Sequence, residues 1–310
     1  MSAISTITIT VPATTANLGP GFDCIGAALS LYNSFQFSRL EPSATEKLKI
    51  TVTGQEAAKV KTDESNLAYV AFVTLYDRLN QSPPPVAIHI DMQVPLARGL
   101  GSSATAIVGG LVGANVLAGA PLSQVEVMQL AIELEGHPDN VVPALLGGCR
   151  LAASHTPGGS WEICDIPWHP DIVPVVAIPD FELSTAEARR VLPADYSRAD
   201  AIFNVAHLGL LVRALATGDR DWLRCALQDK IHQPYRRSLI RGYKAVQEAA
   251  VNAGACGMVI SGAGPTLLAL TDVTNAVAVE KAMASAWGEF GVKADVRAIS
   301  LDNRGAQVSV

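Results

Sequence analysis

The chain carries no Lys or Arg before Arg39, so its start lacks the basic flank expected of a secretory signal. Its five cysteines, Cys24, Cys149, Cys164, Cys225 and Cys256, lie far apart and form no C-x-x-C pair. An odd, dispersed set argues against a disulfide framework or zinc site and predicts reduced thiols in a cytoplasmic protein. Basic excess is missing too. With a formal net charge of −6 the chain offers no footprint for nucleic acid or an anionic membrane. Repeats and low-complexity tracts are absent. Apolar residues make up 49% and charged residues 17%, which excludes disorder, and 310 residues suffice for two domains with their own cores.

Charge is absent altogether from Gly99 to Val125, a length that could span a bilayer. The glycines, Ser102, Ser103 and Asn115 keep this segment weakly hydrophobic, and it has no flanking aromatic anchors. It reads as a buried helix, and no membrane span is expected.

Alternating Ile and Thr predict a first strand over Ile4–Val11, leading into a turn-rich stretch from Pro12 to Asp23. Strands follow at Lys47–Thr53 and Val86–Met92, with a helix over Asn66–Leu79 between them. The next helix runs from Ser103 to about Leu117. Ser123 and Glu126 form a capping box for another, whose stripe is Val127, Leu130, Ala131 and Leu134, and Gly136 and Pro138 stop it. A Ser/His/Thr/Pro/Gly stretch at residue 154 marks a boundary between domains 1–153 and 154–310. Beyond it come a strand at Ile172–Ile178, helices at Asp200–Thr217, Arg220–Lys230 and Leu239–Ala253, and strands at Cys256–Ile260 and Thr266–Thr271. A helix at Asn275–Phe290 and a strand at Ala294–Ile299 finish the chain. This irregular order of strands and helices predicts an α+β fold.

The most informative stretch is Pro95-Leu96-Ala97-Arg98-Gly99-Leu100-Gly101-Ser102-Ser103-Ala104, where a strand gives way to a helix. Glycines let backbone N–H groups turn toward a ligand and the helix N-terminus adds positive potential, which suits phosphates. Ser102 and Ser103 add hydroxyl ligands for phosphate or Mg2+. The loop has no Lys and so is not a Walker A motif. Gly99-x-Gly101-x-x-Ala104 fits a dinucleotide fingerprint, but the first acid after it, Glu126, falls inside a capped helix with no strand between. A glycine run that only packs helices is the remaining alternative.

The loop has companions. Asn17-Leu18-Gly19-Pro20-Gly21-Phe22-Asp23, the Pro95–Ala104 stretch and Ser261-Gly262-Ala263-Gly264-Pro265-Thr266 resemble, in order and separation, the three motifs of the GHMP kinases. Within that superfamily Glu135-Gly136-His137-Pro138-Asp139-Asn140, Ser184–Arg189 and Pro234-Tyr235-Arg236 resemble the homoserine kinase branch. The resemblance implies a two-domain α+β molecule, with a ribosomal protein S5 domain 2-like N-terminal domain and a ferredoxin-like C-terminal domain, and a last strand able to return to the first. It implies ATP and Mg2+ as cofactors, L-homoserine as the phosphoryl acceptor, and a possible homodimer.

Residue by residue, the resemblance assigns Pro95, Leu96, Ala97, Arg98, Gly99, Leu100, Gly101, Ser102, Ser103, Ala104, Gly262 and Gly264 to the nucleotide, and Ser103 with Glu135 to the metal. Glu135 is preferred to Glu133 because it matches the family's pattern better and also lies slightly nearer the apolar stripe. Asn17, Asp23, Asn140 and Thr185 are assigned to the reacting hydroxyl and phosphate, and His137, Arg189 and Arg236 to the substrate's polar ends. Asn66 is a further candidate near the nucleoside. Mevalonate-type members carry an aspartate where Asn140 stands, so no strong general base is evident. A kinase of another small alcohol, or a nucleotide-binding regulator without catalysis, are the competing readings.

Overall fold

The computed structural model describes residues 5–309 apart from 42, 44, 55, 157 and 158. In chain order the elements begin with β1 (Thr6–Ala16), β2 (Ile25–Arg39), β3 (Leu48–Gly54), α1 (Leu67–Arg78) and β4 (Val86–Met92). Next come α2 (Ser102–Leu117), α3 (Gln124–Glu135), α4 (Pro138–Leu146) and the hairpin β5 (Cys149–Ser154) and β6 (Trp161–Ile166). The second half runs β7 (Val173–Pro179), α5 (Thr185–Arg190), α6 (Arg198–Thr217), α7 (Arg220–Ala226) and α8 (Gln233–Arg236). It closes with α9 (Tyr243–Asn252), β8 (Gly257–Ile260), β9 (Leu267–Thr271), α10 (Ala276–Glu289), β10 (Ala294–Ala298) and β11 (Gln307–Ser309).

The first sheet has the order β11-β1-β2-β4-β3, with β5 pairing the other end of β2 and β6 pairing β5. Only β3 and β4 are parallel among the described pairs, joined through α1 as a crossover requires. Helices α1 to α4 cover one face, closing a core of Ile7, Ile9, Phe35, Phe37, Phe72, Ile88, Leu111 and Val141. The second sheet, β10-β7-β9-β8, is antiparallel throughout. With its crossing helices it has the β-α-β-β-α-β order of a ferredoxin-like unit. Its outer face packs on α9 and α10 through Val246, Val279, Met283 and Trp287.

A third cluster joins the halves. Leu18, Ile25 and Leu29 from the first half pack with Val176, Leu211, Leu215, Val259 and Leu268 from the second. Burying so much apolar surface at the junction fixes the cleft between the halves.

Several expectations move. β1 does not stop at Val11; it continues to Ala16, with a register shift between Pro12 and Ala13 that accommodates the proline's missing N–H. Ile4 lies outside the described residues. β2 was not legible at all. The first sheet runs past residue 153 through the β5–β6 pairing to Ile166, and β11 returns to β1. The uncharged segment forms α2, which is largely buried. Among the described residues, α6 is the helix long and apolar enough to cross a bilayer. It packs through Leu211, Ala214 and Leu215 into the third cluster.

Candidate active site

A cleft of about 540 Å3 opens between the halves. Its lining draws on every segment singled out in the sequence: Asn17 and Asp23, Leu96–Gly99 and Gly101–Ser103, Glu135, His137 and Asn140, Thr185 and Arg189, Arg236, and Gly262. Pro95, Leu100, Ala104 and Gly264 do not line it. Leu100 and Ala104 are core residues, 1% and 0% exposed: Leu100 packs into the cluster between the halves, and the α2 spiral turns Ala104 into the first core.

The glycine loop is held in shape by the protein itself. Gly101 caps α2 at φ 67°, a left-handed conformation that costs glycine little. Added there, a Cβ would sit 2.0 Å from Thr14 Oγ1. One placed on Gly99 would lie 2.2 Å from the Ser261 carbonyl oxygen. Ser261 Oγ donates to that loop at the Gly99 carbonyl (2.7 Å). Further backbone bonds run from Thr14 N to Leu100 O (3.0 Å) and from Thr266 N to Arg98 O (3.2 Å). The Arg98 guanidinium straps the loop in place, donating to the carbonyls of Pro179, Leu96 and Asp180.

At the first turn of α2, Ser103 Oγ donates to Glu135 Oε1 at 2.8 Å. Burial raises the pKa of Glu135, and the Ser103 bond and His137 only partly counter this. Glu133 is exposed and Glu135 half-buried. A half-buried carboxylate beside a hydroxyl is a hard-oxygen pair that would suit Mg2+. Among the described residues no cluster of three or more acidic, His or Cys side chains forms a metal cage.

Asn17 and Asp23 both have positive φ, 73° and 56°, which Asn and Asp tolerate better than other side chains. The Asn17 amide is committed to structure: Oδ1 accepts the Asp23 N–H (3.0 Å) and Nδ2 donates to Gly262 O (2.8 Å). It thereby stitches the first motif to the third. Asn140 is oriented similarly, with Oδ1 accepting from Thr14 Oγ1 at 2.8 Å and Nδ2 reaching Asp139 at 3.3 Å. Each amide retains one N–H for a ligand.

Asp23 is paired with Arg189 by two bonds of 2.8 and 3.0 Å. That pairing holds the guanidinium firmly charged, raising its pKa. Arg236 is 2% exposed. Its Nε donates to Ala188 O (3.1 Å) and its Nη1 to Gly262 O (3.1 Å). Burial, with Arg189 close by, lowers its pKa to about 10. Both guanidinium groups sit over the Phe22 ring, at 5.7 and 5.1 Å. Thr185 opens α5, behind a capping box formed by Ser184 and Glu187.

Sequence reading missed Asp139, which is 3% exposed, lines the cleft and meets His137 Nδ1 at 2.5 Å. Burial opposes charge on His137, but the Asp139 bond and neighbouring carboxylates outweigh it and raise its pKa. The available signal was position: an acid between two assigned residues. Lys59 and Lys61, also on the cleft, carried no signal. Beyond the glycine loop the cleft ends in an apolar wall of Phe35, Val60, Leu67, Ile90, Met92 and Ala106. Asn66 borders it while capping α1, its Oδ1 accepting from the Ala68 N–H at 3.0 Å.

The GHMP kinases N terminal domain family matches residues 66–148, and the GHMP kinases C terminal family matches residues 211–289. The chain is 70% identical over 306 residues to a homoserine kinase of Trichormus variabilis, covering 99% of this chain and 100% of that protein. It is 67% identical over 309 residues to a homoserine kinase of Trichodesmium erythraeum, with 100% of both covered. A solved homoserine kinase from Cytophaga hutchinsonii superposes with a TM-score of 0.89 at 28% identity, over 100% of this chain and 99% of that one. An L. major mevalonate kinase solved in complex with R-mevalonate shares the fold, with a TM-score of 0.72 at 17% identity and 95% of each chain covered.

Proposed function

The chain belongs to the GHMP kinase family, and we propose that it acts as a homoserine kinase, passing the γ-phosphoryl group of ATP to the hydroxyl of L-homoserine to give O-phospho-L-homoserine and ADP. One observation carries this reading. Two arginines and a carboxylate, Arg189, Arg236 and Asp23, stand in the same cleft as the phosphate-type loop at Gly99–Ser103. A zwitterionic amino acid needs both signs of charge beside the phosphates, and an uncharged sugar does not. The setting is a reducing cytoplasm, consistent with five free thiols.

The apolar wall at Phe35 and Met92 takes the adenine, and the N–H groups at the start of α2 take the phosphates. Ser103 and Glu135 would hold Mg2+. Mg2+ bound there supplies neutralisation of the charge that builds on the transferred group. Arg236 Nη2, which has no protein partner among the described residues, and the Arg189 fork read the substrate carboxylate. The His137–Asp139 pair flanks the substrate on the α4 side.

Asn17 and Asn140 orient the hydroxyl with their remaining N–H groups. Asp23 has both carboxylate oxygens engaged by Arg189 and so is not free to take up the hydroxyl proton. The hydroxyl therefore attacks directly in a prearranged electrostatic site, and its proton leaves late to phosphate or water. Thr185 stands beside the transferred group.

Incubation with ATP, Mg2+ and L-homoserine, followed by phosphorus NMR, gives a phosphomonoester on the homoserine hydroxyl. Turnover of mevalonate or a hexose at higher kcat/KM than homoserine, in a panel of alcohols, would overturn the assignment.

A further inference from the structure

Outside the cleft, α6 and α7 bring a thiol and an imidazole together on the surface. Cys225 is exposed, and its Sγ lies 3.9 Å from His207 Nε2. The other ring nitrogen, Nδ1, lies 2.7 Å from the Phe203 carbonyl oxygen. A carbonyl can only accept, so Nδ1 carries the proton and Nε2 presents its lone pair to the thiol. The ring cannot drift from this pose, because Phe203 stacks on it at 3.7 Å between centroids. Lys230 stands 5.6 Å over Phe203 and adds positive charge to the same spot.

We propose that Cys225 and His207 form a thiol-modification site for a small anionic disulfide of the glutathione class. His207 Nε2 takes the Sγ proton, and the thiolate attacks one sulfur of the disulfide. A new S–S bond forms at Cys225, the original S–S bond breaks, and the departing thiolate leaves as a thiol after taking up that proton. The disulfide is the sole oxidant, one of its sulfurs being reduced as Cys225 is oxidised. A free thiol reverses the exchange.

The site is wired to the first motif. Asn204, next to Phe203 on α6, donates to Pro20 O (3.2 Å) and Asp229 Oδ1 (3.0 Å), and accepts from Lys230 N (2.8 Å). Asp229 in turn gathers the N–H groups of Ile231, His232 and Gln233 ahead of Arg236. A tripeptide attached between α6 and α7 crowds the helix that carries Asn204 and strains its bonds to Pro20 of the first motif and to Asp229.

The molecule carries its own reference. Cys164 is also exposed, and its Sγ meets the Asp165 carbonyl oxygen at 3.5 Å rather than an imidazole. The reduced full-length enzyme is incubated with glutathione disulfide and the adducts are timed by peptide mass spectrometry. Cys225 is modified about tenfold faster than Cys164. The variant His207→Gln brings Cys225 down to the Cys164 rate, and Cys225→Ser removes the fast adduct while leaving unmodified turnover intact. Modified enzyme shows an acceptor KM raised about threefold with the ATP KM unchanged, reversed by dithiothreitol. Equal rates at the two cysteines, or a fast Cys225 in His207→Gln, overturn the site. An acceptor KM that stays constant on full modification overturns its link to the first motif.

Discussion

Replacing Gly101 with alanine tests whether the loop conformation and the Asn140 orientation are one device. The position has φ 67°, and alanine in that region costs about 1–2 kcal/mol. The new Cβ falls 2.0 Å from Thr14 Oγ1, so the hydroxyl must leave the bond it donates to Asn140. Thr14 is 0% exposed and Asn140 9%, so the abandoned Oδ1 finds no water, at a cost of about 1–3 kcal/mol. The two terms act on the same folded state, giving a loss of about 2–5 kcal/mol. Gly119 supplies the control: its φ is 91°, yet nothing lies within 4 Å of a Cβ built there. Gly119→Ala therefore shows the backbone cost alone and leaves turnover unchanged. Gly101→Ala loses more stability in urea titration, and its kcat in an ADP-coupled assay falls about 10- to 100-fold. Thr14→Val, which removes the bond without the backbone strain, still loses about 1–3 kcal/mol from the stranded Oδ1 and lowers kcat as well. Equal destabilisation of the two alanine variants, or a Gly101→Ala kcat within twofold of wild type, refutes the reasoning.

Glu135→Gln raises the Mg2+ concentration for half-maximal rate about tenfold or more, and it leaves thermal stability equal or higher, since burial disfavours the charge that is removed; a Mg2+ titration with a parallel melt reads both. Arg236→Lys cannot span Ala188 O and Gly262 O together and costs about 2–4 kcal/mol, checked by the denaturation midpoint. The His137–Asp139 pair gives a signed pH effect. The folded pKa of His137 is raised above 6.5, so its contribution is complete below that value and fades as pH climbs through the folded one. The stability gap between wild type and His137→Gln thus narrows as pH rises above 6.5, and a constant gap removes the pair from this role.

Legibility followed the range of the interactions. Local signals worked: the capping box at Ser123 and Glu126 opens α3, and the strand Val86–Met92 has its expected limits. β2 hid because Gly26, Ser30, Asn33 and Ser34 break its apolar alternation, and its pairing to β1, β4 and β5 comes from remote parts of the chain. The helix expected to reach Lys230 ends at Ala226, since Asp229 gathers three backbone N–H groups into a turn. Motif resemblance found which segments meet at the cleft but not what each side chain does. Arg98 lies in the phosphate-type loop on the cleft, yet its guanidinium donates to the carbonyls of Pro179, at the end of β7, and of Asp180 just beyond it, which no local pattern encodes.

The bonds that hold the cleft are made between motifs rather than to a ligand, and this bears on how the enzyme can work. The first motif is tied to the third through Asn17 and Gly262 in both directions, Nδ2 to O at 2.8 Å and the Gly262 N–H to Ala16 O at 3.1 Å. The third is tied to the glycine loop through Ser261, and the glycine loop to the segment leading into α5 through the Leu183 N–H and Ala97 O at 3.1 Å. Each tie crosses between the halves or runs along their seam, so pulling the halves apart would strand buried donors and acceptors at about 1–3 kcal/mol each. Wide opening is therefore disfavoured, and the donors face the reaction before any substrate arrives. Such prior arrangement is what a phosphoryl transfer without a strong base requires, because the electrostatic work is done by groups that need not reorganise as charge develops.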